Sequence, residues 1–229
     1  IHIWAFLIRN RTRFIKMLTF VNRSDKRLMT ISNNYDDQYK LWNKVRQGDV
    51  TVIEKVYHDY SHLLYQYGLK FTQNTQLIED CIQDLFSRII TNSKNFSKSA
   101  NPQIYLMRAF RNNLIRSMER EKKFQQGEVD EYQFDILLSK EQNIIQSEEV
   151  QKQQLLLQQG IGKLTARQKE AIYLRYTKGL EYDEIAEIMK MSIESCRNVI
   201  YKAIKSLREG IKNSGILLLL FFKNSFDIQ

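Results

Sequence analysis

The chain has 229 residues, 43% of them hydrophobic, enough for a packed core and too many for wholesale disorder. Eight glycines and one proline are too few turn residues for a sandwich or barrel of many short strands, so the composition predicts an all-α protein. A net charge of +9 suits a polyanionic partner, and two cysteines (Cys81 and Cys196) exclude a disulfide framework or a zinc site and fit a reducing, cytoplasmic compartment.

Much of the excess charge lies in Ile1–Leu28, which holds seven basic residues against Asp25 alone. Its apolar stretch precedes its arginines, the reverse of a signal peptide. The expectation is that Met29 is the true start and that 1–28 is an extra segment outside the fold. From Thr51 the spacing predicts a helix with Val52, Val56, Tyr60, Leu63 and Tyr67 on one face. A second helix follows an Asn74-Thr75 cap and aligns Ile78, Ile82, Leu85 and Ile89. Asn95–Ala100 reads as a loop, and Asn101-Pro102 opens a third helix, with Asn as cap and Pro at the first helical position.

On the third helix Leu106, Phe110, Leu114 and Met118 form an apolar stripe. Arg108, Asn112, Arg116 and Arg120 are displaced from it by two residues, about 200° round the axis. Acids are nearly absent before Glu119, so helix-surface ion pairing does not account for these arginines. They form a candidate anion-binding face, with an ordinary solvated face as the competing reading. Gly127–Glu149 then carries seven acids against Lys140 and reads as an acidic linker, helical from Gln142 onward.

Leu164–Glu209 has the pattern of a helix-turn-helix. Thr165-x-x-Gln168 is a capping box, and Lys178 with Gly179 closes the helix it opens. Tyr182–Met189 turns Ile185, Ile188 and Met189 inward, and the break Lys190-Met191-Ser192 leads to a helix with Ile193, Cys196, Ile200, Ala203 and Leu207 on its apolar face. Lys190 sits where such turns usually carry Gly, which predicts a left-handed lysine. Glu194, Ser195, Arg197, Asn198, Tyr201, Lys202 and Lys205 face outward; Ser, Arg and Asn suit base edges, and the two lysines suit phosphates. Ile216–Phe222, the longest apolar run, is far short of the ~18 residues a membrane span needs.

The stretches Leu164–Tyr176 and Gly179–Met189 resemble the fourth conserved region of bacterial sigma factors. Glu79-Asp80-Cys81-Ile82-Gln83-Asp84-Leu85-Phe86 is similar to their polymerase-binding helix, and Tyr105–Asn112 to the promoter-melting helix that follows. Order and spacing fit the small extracytoplasmic-function type of the sigma-70 family. The resemblance implies two small helical domains joined by the acidic linker: a region 2 domain over 29–123, the linker over 124–153, the region 4 helix-turn-helix over 154–213 and a hydrophobic tail over 214–229.

It further implies that Asp80, Gln83, Asp84 and Phe86 dock on the clamp helices of the largest subunit of core RNA polymerase. Tyr105, Arg108, Arg111, Asn112, Arg116 and Arg120 would grip the minus-ten element. Ser195, Arg197, Asn198, Tyr201 and Lys202 would read the minus-thirty-five element. An anti-sigma factor, often membrane-anchored in the family, would hold the protein inactive. Three departures stand out: Tyr105 in place of the usual Trp, Arg116 in place of a common Asp, and Glu181 in place of a Ser cap, the last expected to fray its helix by ~1 kcal/mol.

The function implied is a promoter-specificity subunit that directs promoter recognition, DNA melting and transcription initiation. Its partners would be core polymerase and promoter DNA, with no cofactor, metal or small-molecule substrate. The residues themselves suggest no enzyme: there is no glycine-rich phosphate loop, and His2, His58 and His62 lack a nucleophile partner. The alternative is a free-standing helix-turn-helix regulator, which would bind duplex DNA alone as a symmetric dimer.

Overall fold

The computed structural model describes residues 35–92, 101–124, 132–136 and 148–210. The extra N-terminal segment, the Asn95–Ala100 loop, the helix start at Gln142 and the Ile216–Phe222 tail lie outside them. Regular structure among the described residues is all helical, in the order α1 (Tyr35–Arg46), α2 (Val50–Gly68), α3 (Thr75–Thr91), α4 (Pro102–Phe124), α5 (Glu148–Gly162), α6 (Ala166–Ile172), a π turn (Tyr173–Thr177), α7 (Tyr182–Met189) and α8 (Ile193–Gly210).

The caps explain where these helices begin. The Asp49 carboxylate accepts from the Thr51 and Val52 amides (3.1 and 3.2 Å), Asn74 Oδ1 from Leu77 (3.1 Å) and Asn101 Oδ1 from Gln103 (3.0 Å), each satisfying amides that have no partner within the helix. The Thr165–Gln168 capping box forms in both directions. Glu181 departs from the fraying expected of it. The Glu184 carboxylate reaches back to the Glu181 amide (2.9 Å) and holds the first turn of α7.

In the N-terminal module α2, α3 and α4 pack on one another, and α1 lies against α2. The buried face of α2 is Ile53, Val56, Tyr60, Leu64 and Tyr67. Val52 and Leu63, expected inward, are only partly buried, because a helix packed against three neighbours buries a wide arc that drifts around its axis. Gly68 ends α2 where the chains come closest. A Cβ there would lie 2.8 Å from Ile78 and 3.0 Å from Phe110, so only a hydrogen fits.

In the C-terminal module α6, α7 and α8 form the helix-turn-helix, and α5 closes a small second core of Leu157, Ile161, Leu164, Ile172, Ala203 and Leu207. Lys190 is left-handed (φ 51°, ψ 55°), as its place in the turn predicts. Ile193 departs from expectation: it is 45% exposed in the first turn of α8, and the buried stripe begins at Cys196.

The main core does not stop at the module boundary. It runs from Trp42 through Phe110 and Phe134 to Leu174, Ile185 and Ile200, so one apolar cluster joins both modules. Within the acidic linker, Phe134 is 1% exposed and wedged between them. It packs edge-on to Tyr67 and Phe71 and tilts against Tyr173, at centroid distances of 6.2, 4.9 and 5.6 Å. The Asp135 amide donates to the Lys70 carbonyl (2.7 Å), fixing the strap in place.

Candidate nucleic-acid interface

The outward face of α8 is as the sequence predicts. Ser195, Arg197, Asn198, Tyr201 and Lys202 are all exposed, and Tyr201, at 67%, is a large aromatic held in water. Ser192 caps the helix by accepting from the Ser195 amide (3.1 Å), and the two hydroxyls lie 2.9 Å apart. Arg197 rests over the ring of Tyr182, 5.6 Å from its centroid, which restrains a long side chain without neutralising it.

On α3, Asp80 is exposed and Gln83 and Asp84 are half-buried. Gln76 donates to Asp80 (2.8 Å). Asp84 pairs with Arg88 (2.7 Å) and accepts from Asn113 (3.0 Å), an arrangement that presents a carboxylate at a fixed angle. Phe86 does not join them. It is fully buried and edge-on to Tyr57 (5.0 Å), so it anchors α3 from within and cannot meet a partner directly. The motif resemblance implied contact, but at this register the ring turns to the core.

The α4 face divides along its length. Arg116 and Arg120 are exposed, and Asn112 is half-buried. Tyr105 tilts against Trp42 (5.3 Å) and carries Arg108 over its ring (5.8 Å). Arg108 pairs with Glu187 of α7 (3.1 Å), and Asn101, at the cap, donates to Glu184 (3.2 Å). Arg111 is not on the open face at all. Its Nε and Nη2 donate to the two oxygens of Glu170 (2.6 and 2.9 Å), with its side chain 9% exposed and that of Glu170 0%.

Glu170 is the centre of this arrangement. Besides Arg111, it accepts from the hydroxyls of Tyr67 in α2 and Tyr132 in the linker strap, the latter at 2.5 Å. Four donors from three elements outside its own module thus saturate one carboxylate, which is what a buried charge requires. The effects on acidity follow. Burial, reinforced by the negative charge of Glu170, holds the Tyr67 and Tyr132 phenols well above their ordinary value. Burial works against the charged form of Arg111, but its bonds and attraction to Glu170 outweigh this and keep the guanidinium ionised. Tyr173, stacked on Tyr67 (6.2 Å, 3° between planes), is also pushed up by burial, while Lys70 and Lys178, 5.8 and 5.6 Å from its ring centroid, are pulled down by desolvation.

Periodicity missed Glu170, Tyr132, Phe134, Glu184 and Glu187. Two signals were available: aromatic residues alternating at 132 and 134 inside an acidic stretch, and an acid immediately before the apolar Ala171–Leu174 run. Among the described residues no group of His, Cys, Asp and Glu could hold a metal ion, and no helix is long and apolar enough to cross a membrane.

The fold and surfaces define a two-module, all-helical DNA-binding protein of the region 2–linker–region 4 build. The family models agree in position: Sigma-70 region 2 matches residues 56–124, and Sigma-70, region 4 matches residues 154–207. The chain belongs to the sigma-70 family and is a sigma factor of the extracytoplasmic-function (ECF) type, directing transcription initiation. The ECF RNA polymerase sigma factor SigM of Bacillus subtilis is 28% identical over 165 residues, 72% of this chain and 97% of SigM. The RNA polymerase sigma factor YlaC of the same organism is 24% identical over 170 residues, 71% of this chain and 93% of YlaC. In fold, the chain is similar to the sigma factor RpoE of Bartonella quintana, solved in complex with the anti-sigma factor NepR. The TM-score is 0.51 at 18% identity, over 70% of this chain and 97% of that one.

Proposed function

We propose that this sigma factor divides its work among three surfaces. Asp80, Gln83 and Asp84 on α3 dock on the clamp helices of the largest subunit of core RNA polymerase, with Phe86 holding α3 from inside. Tyr105, Arg108, Arg111, Asn112, Arg116 and Arg120 on α4 engage the minus-ten element and its opened strand. Ser195, Arg197, Asn198, Tyr201 and Lys202 on α8 read the minus-thirty-five element. The region 2 domain spans 29–123, the linker 124–153 and region 4 154–213. The observation that carries this reading is the uncovered row of base-reading and phosphate-binding side chains on α8, at the second helix of a helix-turn-helix.

The protein acts in the cytoplasm by binding, without catalysis, cofactor or small-molecule substrate. An anti-sigma factor is a natural further partner, because RpoE of B. quintana was solved with one. The free-standing regulator is the weaker reading, since it leaves the region 2 match unexplained.

Run-off transcription with core polymerase, the full chain and a genomic promoter pool tests the proposal. Defined transcripts are expected, and Asp84→Arg should abolish them with the fold intact. Transcripts that survive Asp84→Arg would dismiss α3 as the docking surface. Tight symmetric duplex binding without polymerase would favour the regulator.

A further inference from the structure

The carboxylate of Asp84 is held from two helices at once. Within α3, Arg88 forks onto it from one turn on, Nη2 to Oδ2 (2.7 Å) and Nε to Oδ1 (3.3 Å). From α4, the Asn113 amide donates to the same Oδ2 (3.0 Å) and to the Cys81 carbonyl one turn back (3.5 Å). Both partners are acceptors, so the NH2 end of the amide faces α3, and one side chain spans two successive turns of that helix. Ser117, four residues along α4 and therefore on the same face, accepts from the Cys81 thiol (3.8 Å). Asn113 and Ser117 thus form a polar seam between α3 and α4. Asn113 belongs to neither the apolar stripe nor the arginine row of α4.

We infer that Asn113 is a positioning residue of the polymerase-docking surface, holding the Asp84 carboxylate at the angle in which it meets core polymerase. This rests on the assignment of Asp84 to docking. A carboxylate pairs best with a cation, and Asp84 already has one in Arg88. The Arg88 side chain is 62% exposed and that of Asp84 44%, so their pair stands in water and exchanges readily for a cation brought by the polymerase. Without Asn113, a carboxylate released by Arg88 would be free to turn about its side-chain bonds. Asn113 takes no part in the exchange. It is neutral, half-buried and mounted on another helix, so its hydrogen bond fixes one oxygen and leaves the negative charge for the incoming cation. The pre-set angle spares the side-chain ordering that docking would otherwise cost. The helix assigned to the minus-ten element therefore also sets the surface of α3 that meets polymerase.

Competition binding tests this, with unlabelled full-length chains displacing a fluorescein-labelled parent from core polymerase in the absence of DNA. Asn113→Ala and Asn113→Leu should each bind about tenfold more weakly, within the range of coupling seen between residues in contact. Leucine keeps the branching and approximate volume of asparagine, has no N–H to donate, and is the better helix former. The urea midpoint of Asn113→Leu should therefore equal or exceed the parent's while docking falls. A residue that only supported the fold would lose affinity and stability together. In an Asp84→Ala background both substitutions of Asn113 should change core binding by less than about twofold, because the carboxylate they orient is gone. Asn113 variants that bind like the parent, or that weaken binding equally with and without the Asp84 carboxylate, would overturn the inference. Asp84→Ala binding like the parent would instead remove the docking assignment on which it rests.

Discussion

The two helices proposed to meet DNA differ in what already touches them. On α8 the row from Ser195 to Lys202 stands in water, restrained only at its edges by Ser192 and Tyr182. On α4 two arginines are engaged by acids of the other module, one of them in a nearly dry pocket. The difference teaches that charge on a helix face marks what the face can bind, not whether it is free to bind. The acids that cover α4 lie 59 to 83 positions away in the chain, beyond any helical period. A binding surface read from one helix must be checked against every other module that could reach it.

Breaking the covered side should have the largest effect. Arg111→Ala leaves the fully buried Glu170 with its phenols but no cation, a change that costs ~3–5 kcal/mol when a buried pair loses one partner. The joint between the modules bears this cost, because Arg111 and Glu170 meet across it. Calorimetry should show one cooperative transition in the parent and two separate, lower ones in the variant. A single transition displaced by less than ~0.5 kcal/mol would mean the pair is solvated and the modules independent.

High pH should break the same contact. Tyr67, Tyr132 and Tyr173 are all raised above the ordinary phenol value of about 10, chiefly by burial. Once exposed, these phenols lose their protons near pH 10; packed at the joint between the modules they keep them. Their contribution is therefore complete below pH 10 and is lost as pH rises beyond it. Lys70 and Lys178 act in the opposite sense. Burial lowers them, so the folded state recovers some free energy as they shed protons in the window below the ordinary lysine value. Three phenols against two amines leave a net loss, and the urea midpoint of the full chain should fall above pH 10. Tyr57 and Tyr60, pushed up to about 12 within the region 2 core, should ionise later, when that module unfolds. A phenolate absorbance curve with one simple step near pH 10 would contradict this order.

Much of the fold was legible because helices advertise themselves locally. The caps at Asn74, Asn101 and Thr165 and the buried stripes of α3, α4 and α8 depend on residues within a few positions of one another. The α8 face was legible for the same reason. The linker was not: Tyr132 and Phe134 gain their burial from α2, α4 and the π turn, and their own neighbours are acids suited to water. Phe86 and Arg111 share a placement that periodicity could not show. Each belongs to a motif with a binding role, and each has turned toward a partner that only the tertiary structure supplies.

On the uncovered side the expected effects are smaller and confined to DNA. Arg197→Ala should cost ~1–3 kcal/mol on the preferred promoter and relax sequence choice at one position, as for a side chain that reads a base. It is exposed and makes only an edge contact with Tyr182, so the melting temperature should stay put. A uniform loss across all promoters, with a reduced salt dependence, would reassign it to a phosphate.

The smallest effect lies at the joint between the two sides. Lys190 connects α7, whose Glu184 and Glu187 reach α4, to α8, whose face is free. Its left-handed backbone costs an L-residue ~1–2 kcal/mol, and a glycine would remove that strain while losing ~0.5–1 kcal/mol to its greater freedom when unfolded. Lys190→Gly should therefore stabilise the chain by about 0.5–1 kcal/mol, read as a higher urea midpoint at unchanged slope. The turn geometry is already the one glycine prefers, so the angle between α7 and α8 should not move. Promoter choice and the distance between modules should then both equal the parent's. A change in either would show that the lysine side chain, and not only the backbone it sits on, couples the covered helix to the open one.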